Sequence, residues 1–352
     1  MRAAWCRHTL HFHETAITSR SVMHDKVTYF LKIWDDSRPE IFGVGECALF
    51  HGLSSDDLPD YEEHLDALCS HINEVSGIER IEYPSYSSIR FGLETAILDF
   101  KNGGSRLLFD TSWSRGESAI PINGLIWMGT APKMMTRIQD KLERGFRCLK
   151  LKIGGVKFEE ELELLQYIRA HFPEERLELR LDANGAFTPE NALKRLEALS
   201  KFHIHSIEQP IKQKQWEAMR NIVQNSPIPI ALDEELIGTT SLTDKEELLA
   251  YIHPHYIILK PSLCGGLSDS NDWIYTAQKL GIGWWGTSAL ESNIGLNAIA
   301  QWLSTHALSM PQGLGTGALY TNNLPSPIYQ PDDVLRYDTA GHWDLNPLEK
   351  LW

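Results

Sequence analysis

The sequence predicts an α/β protein, a (β/α)8-type (TIM-like) barrel with an N-terminal α+β capping domain. Three observations carry that prediction. Short apolar runs alternate with amphipathic stretches of ten to fifteen residues from about residue 118 onward, the rhythm of βα units. Eight such runs can be counted, the number a barrel of this type needs. Charged residues stand at the C-terminal ends of successive runs, 25 to 31 residues apart, or about one βα unit each.

Before residue 118 the pattern is different. Residues 26–34 are rich in β-branched and aromatic side chains, and residues 41–46 follow across a turn-prone Asp35-Asp36-Ser37-Arg38-Pro39, which predicts a hairpin or meander. Residues 57–74 and 87–100 carry apolar side chains at helical spacing, with Leu93, Ala96, Ile97 and Phe100 the clearest set. Residues 1–117 therefore read as the α+β capping domain and residues 118–325 as the barrel. Its strands are expected at 120–125, 148–153, 177–181, 206–208, 228–232, 256–259, 283–286 and, more weakly, 313–315. The intervening helices include 158–170, 189–199, 216–224, 268–280 and 294–305. Residues 326–352 hold Val334, Leu335, Tyr337, Trp343, Leu348, Leu351 and Trp352 without helical period, and are expected to pack back on the capping domain, since an exposed tail this apolar would invite aggregation. A doubly wound open sheet competes with the barrel, but no G-x-G-x-x-G follows the first strand.

Composition narrows the function classes. At 352 residues, 42% hydrophobic and 23% charged, the chain is an ordinary globular protein, and a formal net charge of −14 repels nucleic acid. Five cysteines at wide spacing include no C-x-x-C pair, which fits a reducing, cytoplasmic setting. The N-terminus is broken by charge before a signal-peptide core can form, and no apolar run reaches membrane-spanning length.

The strand-end residues are Lys150 and Lys152, Asp182, Glu208, Asp233, Lys260 and Glu291, all expected on one rim. A single Asp or Glu after a strand is more often a helix cap than a site residue. Here Asp182 and Glu208 are followed by Ala183-Asn184-Gly185 and Gln209-Pro210, which delay the helix, and Thr188 before Pro189 is the better cap. Three carboxylates without His or Cys are hard oxygen ligands that favour Mg²⁺ or Mn²⁺ over zinc. Lys150 and Lys152 are two apart on one strand and so share a face, while Lys260 comes from four strands further round. Burying lysines in apolar strands is costly without an anion or a purpose. The set suits removal of a proton next to a carboxylate: the cation stabilises the developing negative charge, and a neighbouring positive charge lowers a lysine's pKa towards that of a usable base.

At these residues the sequence resembles the enolase superfamily, muconate lactonizing enzyme subgroup. Lys150-Leu151-Lys152 matches its K-x-K motif. Asp182-Ala183-Asn184, Glu208-Gln209-Pro210 and Asp233-Glu234 match its metal-ligand strand ends, and Leu259-Lys260-Pro261 its sixth-strand lysine. The stretches 287–296 and 313–317 resemble the o-succinylbenzoate synthase family within that subgroup, as do Thr18-Ser19-Arg20 and residues 45–54, which correspond to the substrate-covering loops. The relatives carry glycine where this chain has Ser21.

The resemblance implies Mg²⁺-dependent dehydration of 2-succinyl-6-hydroxy-2,4-cyclohexadiene-1-carboxylate to 2-succinylbenzoate. It assigns proton removal to Lys152, stabilisation from the opposite face to Lys260, and metal binding to Asp182, Glu208 and Asp233. Substrate-side roles fall to Lys150, Arg180 and Asn184. Backbone amides around Gly315 and Thr316, together with Ser288, are expected to receive the succinyl carboxylate. The partner is thus a small-molecule carboxylate. N-succinylamino acid racemisation needs the same two lysines and stays open. Dipeptide epimerisation is disfavoured, because Gly315-Thr316-Gly317 lacks that group's Asp-x-Asp. A non-catalytic binding barrel would be expected to have lost at least one of these charges.

Overall fold

The structure, a computed structural model, describes residues 1–17, 22–74 and 86–352; the loop expected at Thr18-Ser19-Arg20 and Ser21 lies outside them. The N-terminal module is an antiparallel meander of β1 (Arg2–Ile17), β2 (Val22–Asp35) and β3 (Arg38–Cys47), backed by α1 (Tyr61–Ser70) and α2 (Ser87–Lys101). Its first strand leaves no clear pattern in the sequence, because only Cys6, Leu10 and Ala16 among its sixteen residues are buried and they do not alternate strictly. Leu31, Ile33, Leu65, Ile89, Leu93 and Ala96 form the core between sheet and helices. Helix α2 lies directly on β3. A Cβ at Gly45 would fall 1.8 Å from the Gly92 carbonyl oxygen, so only glycine permits this approach.

The second unit is a curled, seven-stranded parallel sheet. Its strands are β5 (Gly124–Ile126), β6 (Cys148–Lys152), β7 (Glu178–Asp182), β8 (Ser206–Glu208), β9 (Ile230–Leu232), β10 (Tyr256–Leu259) and β11 (Gly283–Gly286), each paired with its sequence neighbours. A doubly wound sheet would reverse strand order at a switch point, and this one does not. Between the strands run α3 (Ala131–Glu143), α4 (Phe158–His171), α5 (Pro189–Ser200), α6 (Trp216–Asn225), α7 (Leu242–Ile252), α8 (Gly266–Lys279) and α9 (Asn293–Leu303). Helix α5 starts at a capping box between Thr188 and Asn191, which leaves Asp182 free of capping duty.

Two expected strands differ. Residues 120–125 divide into β4 (Ile120–Pro121), which pairs antiparallel with β13 (Val334–Tyr337) of the C-terminal segment, and the sheet strand β5. Residues 313–315 form no strand. Instead Gln312 bridges to Ile122 and Gly313 to Thr287, linking the two edges of the sheet through single residues. The C-terminal segment also holds β12 (Ile328–Tyr329) and α10 (Asn346–Glu349). Trp343, Leu345, Leu348 and Trp352 pack with Cys6, Phe30 and Val44 of the N-terminal sheet.

Side chains alternate across each strand, and here the alternation separates core from chemistry. Leu149, Leu151, Leu179, Leu181 and Ile207 face outward and pack on Leu164, Leu165, Ile168 and Leu196 of the helices. The other face carries Lys150, Lys152, Arg180, Asp182 and Glu208. Two carboxylates of the N-terminal module join the units. Glu94 on α2 accepts from the backbone N–H of Leu267 at 2.5 Å and from the Ser268 hydroxyl at the start of α8. Glu46 on β3 does the same at α9, accepting from Ser292 N at 3.0 Å and Gly295 N at 3.0 Å.

Candidate active site

Register brings the strand-end charges together. Lys152 lies opposite Asp182, and Asp182 opposite Glu208, across three adjacent parallel strands. Asp182, Glu208 and Asp233 each offer a carboxylate oxygen within 4.8 Å of the other two, and all three are buried. Each also meets a lysine. Lys152 Nζ donates to Asp182 Oδ2 at 2.5 Å, Lys150 Nζ to Glu208 Oε2 at 2.7 Å, and Lys260 Nζ to Asp233 Oδ2 at 2.6 Å.

Tight turns after the strands set this geometry. Asn184 (φ 45°) and Gln209 (φ 38°) adopt the left-handed conformation, which Asn tolerates better than most residues. Asn184 Oδ1 accepts from Lys152 Nζ at 2.9 Å while its Nδ2 donates to Glu234 Oε1 at 2.9 Å. Gln209 Oε1 accepts from the N–H groups of Asp233 and Glu235, both at 3.2 Å, tying the end of β8 to the end of β9. Such supports hold ligand carboxylates in place.

The electrostatics follow from burial and charge pairing. Burial opposes ionisation of Asp182, yet Lys152 and Lys150 outweigh it and hold its pKa far below the usual carboxylate range. Burial raises Glu208, whose Oε1 has no hydrogen-bond partner among the described residues. Burial would lower Lys260, but Asp233 reverses the sign and keeps it an ammonium. The neighbouring cation Lys150 does lower Lys260, as expected, but Asp233 and Glu234 outweigh it. Three buried carboxylates, one with an orphaned oxygen, fit a hard divalent cation.

Above them opens a cavity with about 970 Å³ of empty space, including its solvent-facing mouth. Lys150, Lys152, Asn184 and Lys260 line one side. Phe50 to Leu53 and Met23 of the N-terminal module, with Leu125, Trp127 and Leu290, give apolar walls. Ser288, Gly315 and Thr316 line it too. Sequence reasoning missed Asn123 and Thr287; Asn123 Oδ1 and Thr287 Oγ1 are buried without hydrogen-bond partners among the described residues, as is Thr316 Oγ1. Polarity at a strand end was the available signal, but only the tertiary fold turns these atoms inward. A Cβ at Gly313 would lie 2.4 Å from Thr287 Oγ1, whereas one at Gly315 would meet nothing closer than 3.5 Å. Gly313 is thus required by packing, and Gly315 leaves room in the cavity.

Three expectations need correction. Arg180 shares the inward face of Asp182 but sits one layer deeper and does not line the cavity. Its guanidinium bonds Glu178 at 2.7 Å and the Pro311 carbonyl at 2.9 Å and stacks 4.3 Å over Trp285. Ser288 donates its proton to Glu291, so it has none for a ligand carboxylate. Glu291 itself turns from the rim into the contact with the N-terminal module, where it also accepts from Ser262 Oγ at 2.5 Å.

A family profile for enolase C-terminal domain-like proteins matches residues 133–327. The o-succinylbenzoate synthase of Desulfotalea psychrophila is 45% identical over 93% of this chain and 96% of its own length. The chain belongs to the enolase superfamily. A crystal structure of MenC from Desulfotalea psychrophila LSv54 shares the fold with a TM-score of 0.84 and 42% identity, covering 96% of this chain and 99% of that one. The L-Ala-D/L-Glu epimerase of Bacillus subtilis, at 17% identity, matches in fold with a TM-score of 0.80 over 98% of this chain and 97% of its own. For this superfamily member the shared frame explains why the acidic triad and the lysines fall at the same end of one parallel sheet. No helix among the described residues is long and apolar enough to cross a membrane.

Proposed function

We propose that this superfamily member is an o-succinylbenzoate synthase, converting 2-succinyl-6-hydroxy-2,4-cyclohexadiene-1-carboxylate to 2-succinylbenzoate and water. The observation that carries the reading is the pair Lys152 and Lys260, which reach one cavity from strands four apart in the sheet, beside a buried three-carboxylate cluster. The 45% identity to a named synthase supports it. The accompanying architecture is a (β/α)8-type barrel closed through Gln312 and Gly313, with residues 1–117 as capping domain and 326–352 as a return segment.

Asp182, Glu208 and Asp233 would hold Mg²⁺, which supplies positive charge to the substrate carboxylate as its α-carbon loses a proton. Lys152 Nζ, released from Asp182, removes that proton. The C1 electron pair passes to the carboxylate as an enediolate, with Lys260 on the other face providing charge. On collapse the electrons expel the C6 hydroxyl, and Lys152 returns its proton to it, forming water and an aromatic ring. One base on one face thus suffices. Asn184 and Lys150 position Lys152 and the carboxylates. The ring suits Phe50, Leu53 and Trp127, and the succinyl carboxylate suits the Thr316 hydroxyl and neighbouring amides near Gly315.

The test is a spectrophotometric assay with freshly prepared cyclohexadiene substrate, with and without EDTA. Turnover that EDTA abolishes is expected. A folded, Mg²⁺-loaded protein without turnover would reject the reading. In that case α-proton exchange of N-succinylamino acids in D₂O would measure the racemase alternative, which requires both lysines.

A further inference from the structure

The cavity has a cover as well as a floor. On the floor Lys150, Lys152 and Lys260 are each bonded to a carboxylate of the acidic cluster. Apart from them, His51 is the one cavity-lining side chain among the described residues that can carry positive charge. It stands in the loop after β3, with 56% of its side chain exposed, and the reaction above gives it no part. That loop is held at several points. Phe50 N donates to Ser54 Oγ at 2.9 Å, Gly52 N (φ 75°) donates to Asp57 Oδ2 at 2.7 Å, and the adjacent Asp56 accepts from Ser88 N of α2 at 2.8 Å. Nothing lies within 4 Å of a Cβ at Gly52, so the glycine serves the left-handed turn and not the packing. The fold itself places His51.

Asp57 also decides which ring nitrogen is left for a ligand. His51 Nδ1 lies 2.8 Å from Asp57 Oδ1, and a carboxylate only accepts, so Nδ1 carries a proton and Nε2 is the free nitrogen. In the neutral ring Nε2 offers a lone pair, which repels a carboxylate. With a second proton it donates to one, and the ring then sits between two carboxylates in charge-assisted hydrogen bonds. An anionic ligand group at Nε2 thus brings a proton with it. The charged groups that face this space are Asp57 from the same loop and, across the cavity, Lys150 and Lys152 of β6 and Lys260 after β10.

We propose that His51, oriented by Asp57, binds a second carboxylate of the ligand, the one remote from the acidic cluster, and that this contact takes up a proton. The cover thereby favours dicarboxylates over monocarboxylates of the same shape. Only the identity of the ligand rests on the synthase reading. A carboxylate accepts several hydrogen bonds, so Thr316 on the wall and His51 on the cover do not compete for it. Asp57→Asn separates orientation from charge. Its amide oxygen would keep the bond from Gly52 N and its NH₂ would donate to His51 Nδ1, so the neutral ring carries its proton on Nε2 and donates without uptake.

The experiment is calorimetry on the Mg²⁺-loaded full chain with 2-succinylbenzoate and with 2-butyrylbenzoate, in which a methyl group replaces the second carboxylate. Titrations at pH 7.5 in two buffers of different ionisation enthalpy count the protons taken up. Wild type should take up about half a proton more per 2-succinylbenzoate than His51→Gln. At pH 6.5 His51→Gln should bind that ligand about tenfold more weakly, the size of one charge-assisted hydrogen bond, and should bind 2-butyrylbenzoate as wild type does. Asp57→Asn should lose the uptake and keep its affinity within about threefold. Equal uptake in wild type and His51→Gln, or a loss of the same size on both ligands, would overturn the proposal. Turnover of the cyclohexadiene substrate judges the synthase reading separately. If there is none and 2-succinylbenzoate does not bind, N-succinylphenylalanine and N-butyrylphenylalanine replace the pair, and a wild type that binds neither dicarboxylate overturns this proposal too.

Discussion

Lys152 Nζ lies 2.5 Å from Asp182 Oδ2 and 2.9 Å from Asn184 Oδ1, so the proposed base rests on a proposed metal ligand. A divalent cation held by Asp182 would compete for that oxygen and leave the amine available to the substrate. Lys152→Ala should reduce kcat by about 10³, within the usual range for losing a general base, and leave the melting temperature within a few degrees. Steady-state kinetics and thermal unfolding on the same preparation check both parts; wild-type kcat would remove Lys152 from the reaction.

Asp182→Asn, Glu208→Gln and Asp233→Asn each withdraw one charged oxygen from a buried cluster of three. Each should weaken Mg²⁺ binding by at least about tenfold, read by calorimetry without reference to activity. If all three variants kept wild-type affinity, the cation would have to bind elsewhere.

Arg180→Met should act on stability rather than on substrate. The change strands Glu178 and removes the stacking on Trp285, for a loss of about 3 kcal/mol in urea unfolding with KM unchanged. A raised KM at full stability would return Arg180 to the substrate side.

Glu161 accepts from Gly154 N at 2.5 Å in the loop that follows Lys152, and burial pushes its carboxyl up to about 7. An acid whose folded pKa exceeds its unfolded value of 4.5 keeps its proton longer when folded, so its contribution to stability declines as pH rises from 4.5 to about 7. Relative to Glu161→Gln, wild type should lose about 3 kcal/mol across that window. Urea midpoints at pH 5 and pH 8 measure it, and parallel curves would contradict it.

The charges at strand ends were legible because each is set by a local rule: an apolar run, a charged residue, then a turn that postpones the helix. Asp182 and Glu208 obey it in full; Asp233, after which a 3₁₀ turn begins at once, and Lys260 share the apolar run and the charge. The strand expected at 313–315 is not formed: pairing there reduces to single bridges at Gln312 and Gly313, too short to leave a periodic trace. Depth along a strand is equally silent, which is why Arg180, two residues from Asp182, was placed a layer too high. Glu46 and Glu94 owe their roles to contacts across long stretches of chain, 246 residues from Glu46 to Ser292 and 173 from Glu94 to Leu267. Nothing local in the sequence announces them.

Glu94 and Glu46 supply, from outside the parallel sheet, the acceptors that the first turns of α8 and α9 need. The N-terminal module is therefore not a detachable cover whose loops can be traded at will for those of a homologue. A graft that exchanged residues 1–117 for a relative's would have to bring carboxylates to these two positions, or two helices would begin with buried amides unanswered. Specificity engineering should accordingly confine itself to Phe50–Leu53 and Met23, the parts of that module that face the cavity, and leave its seams intact.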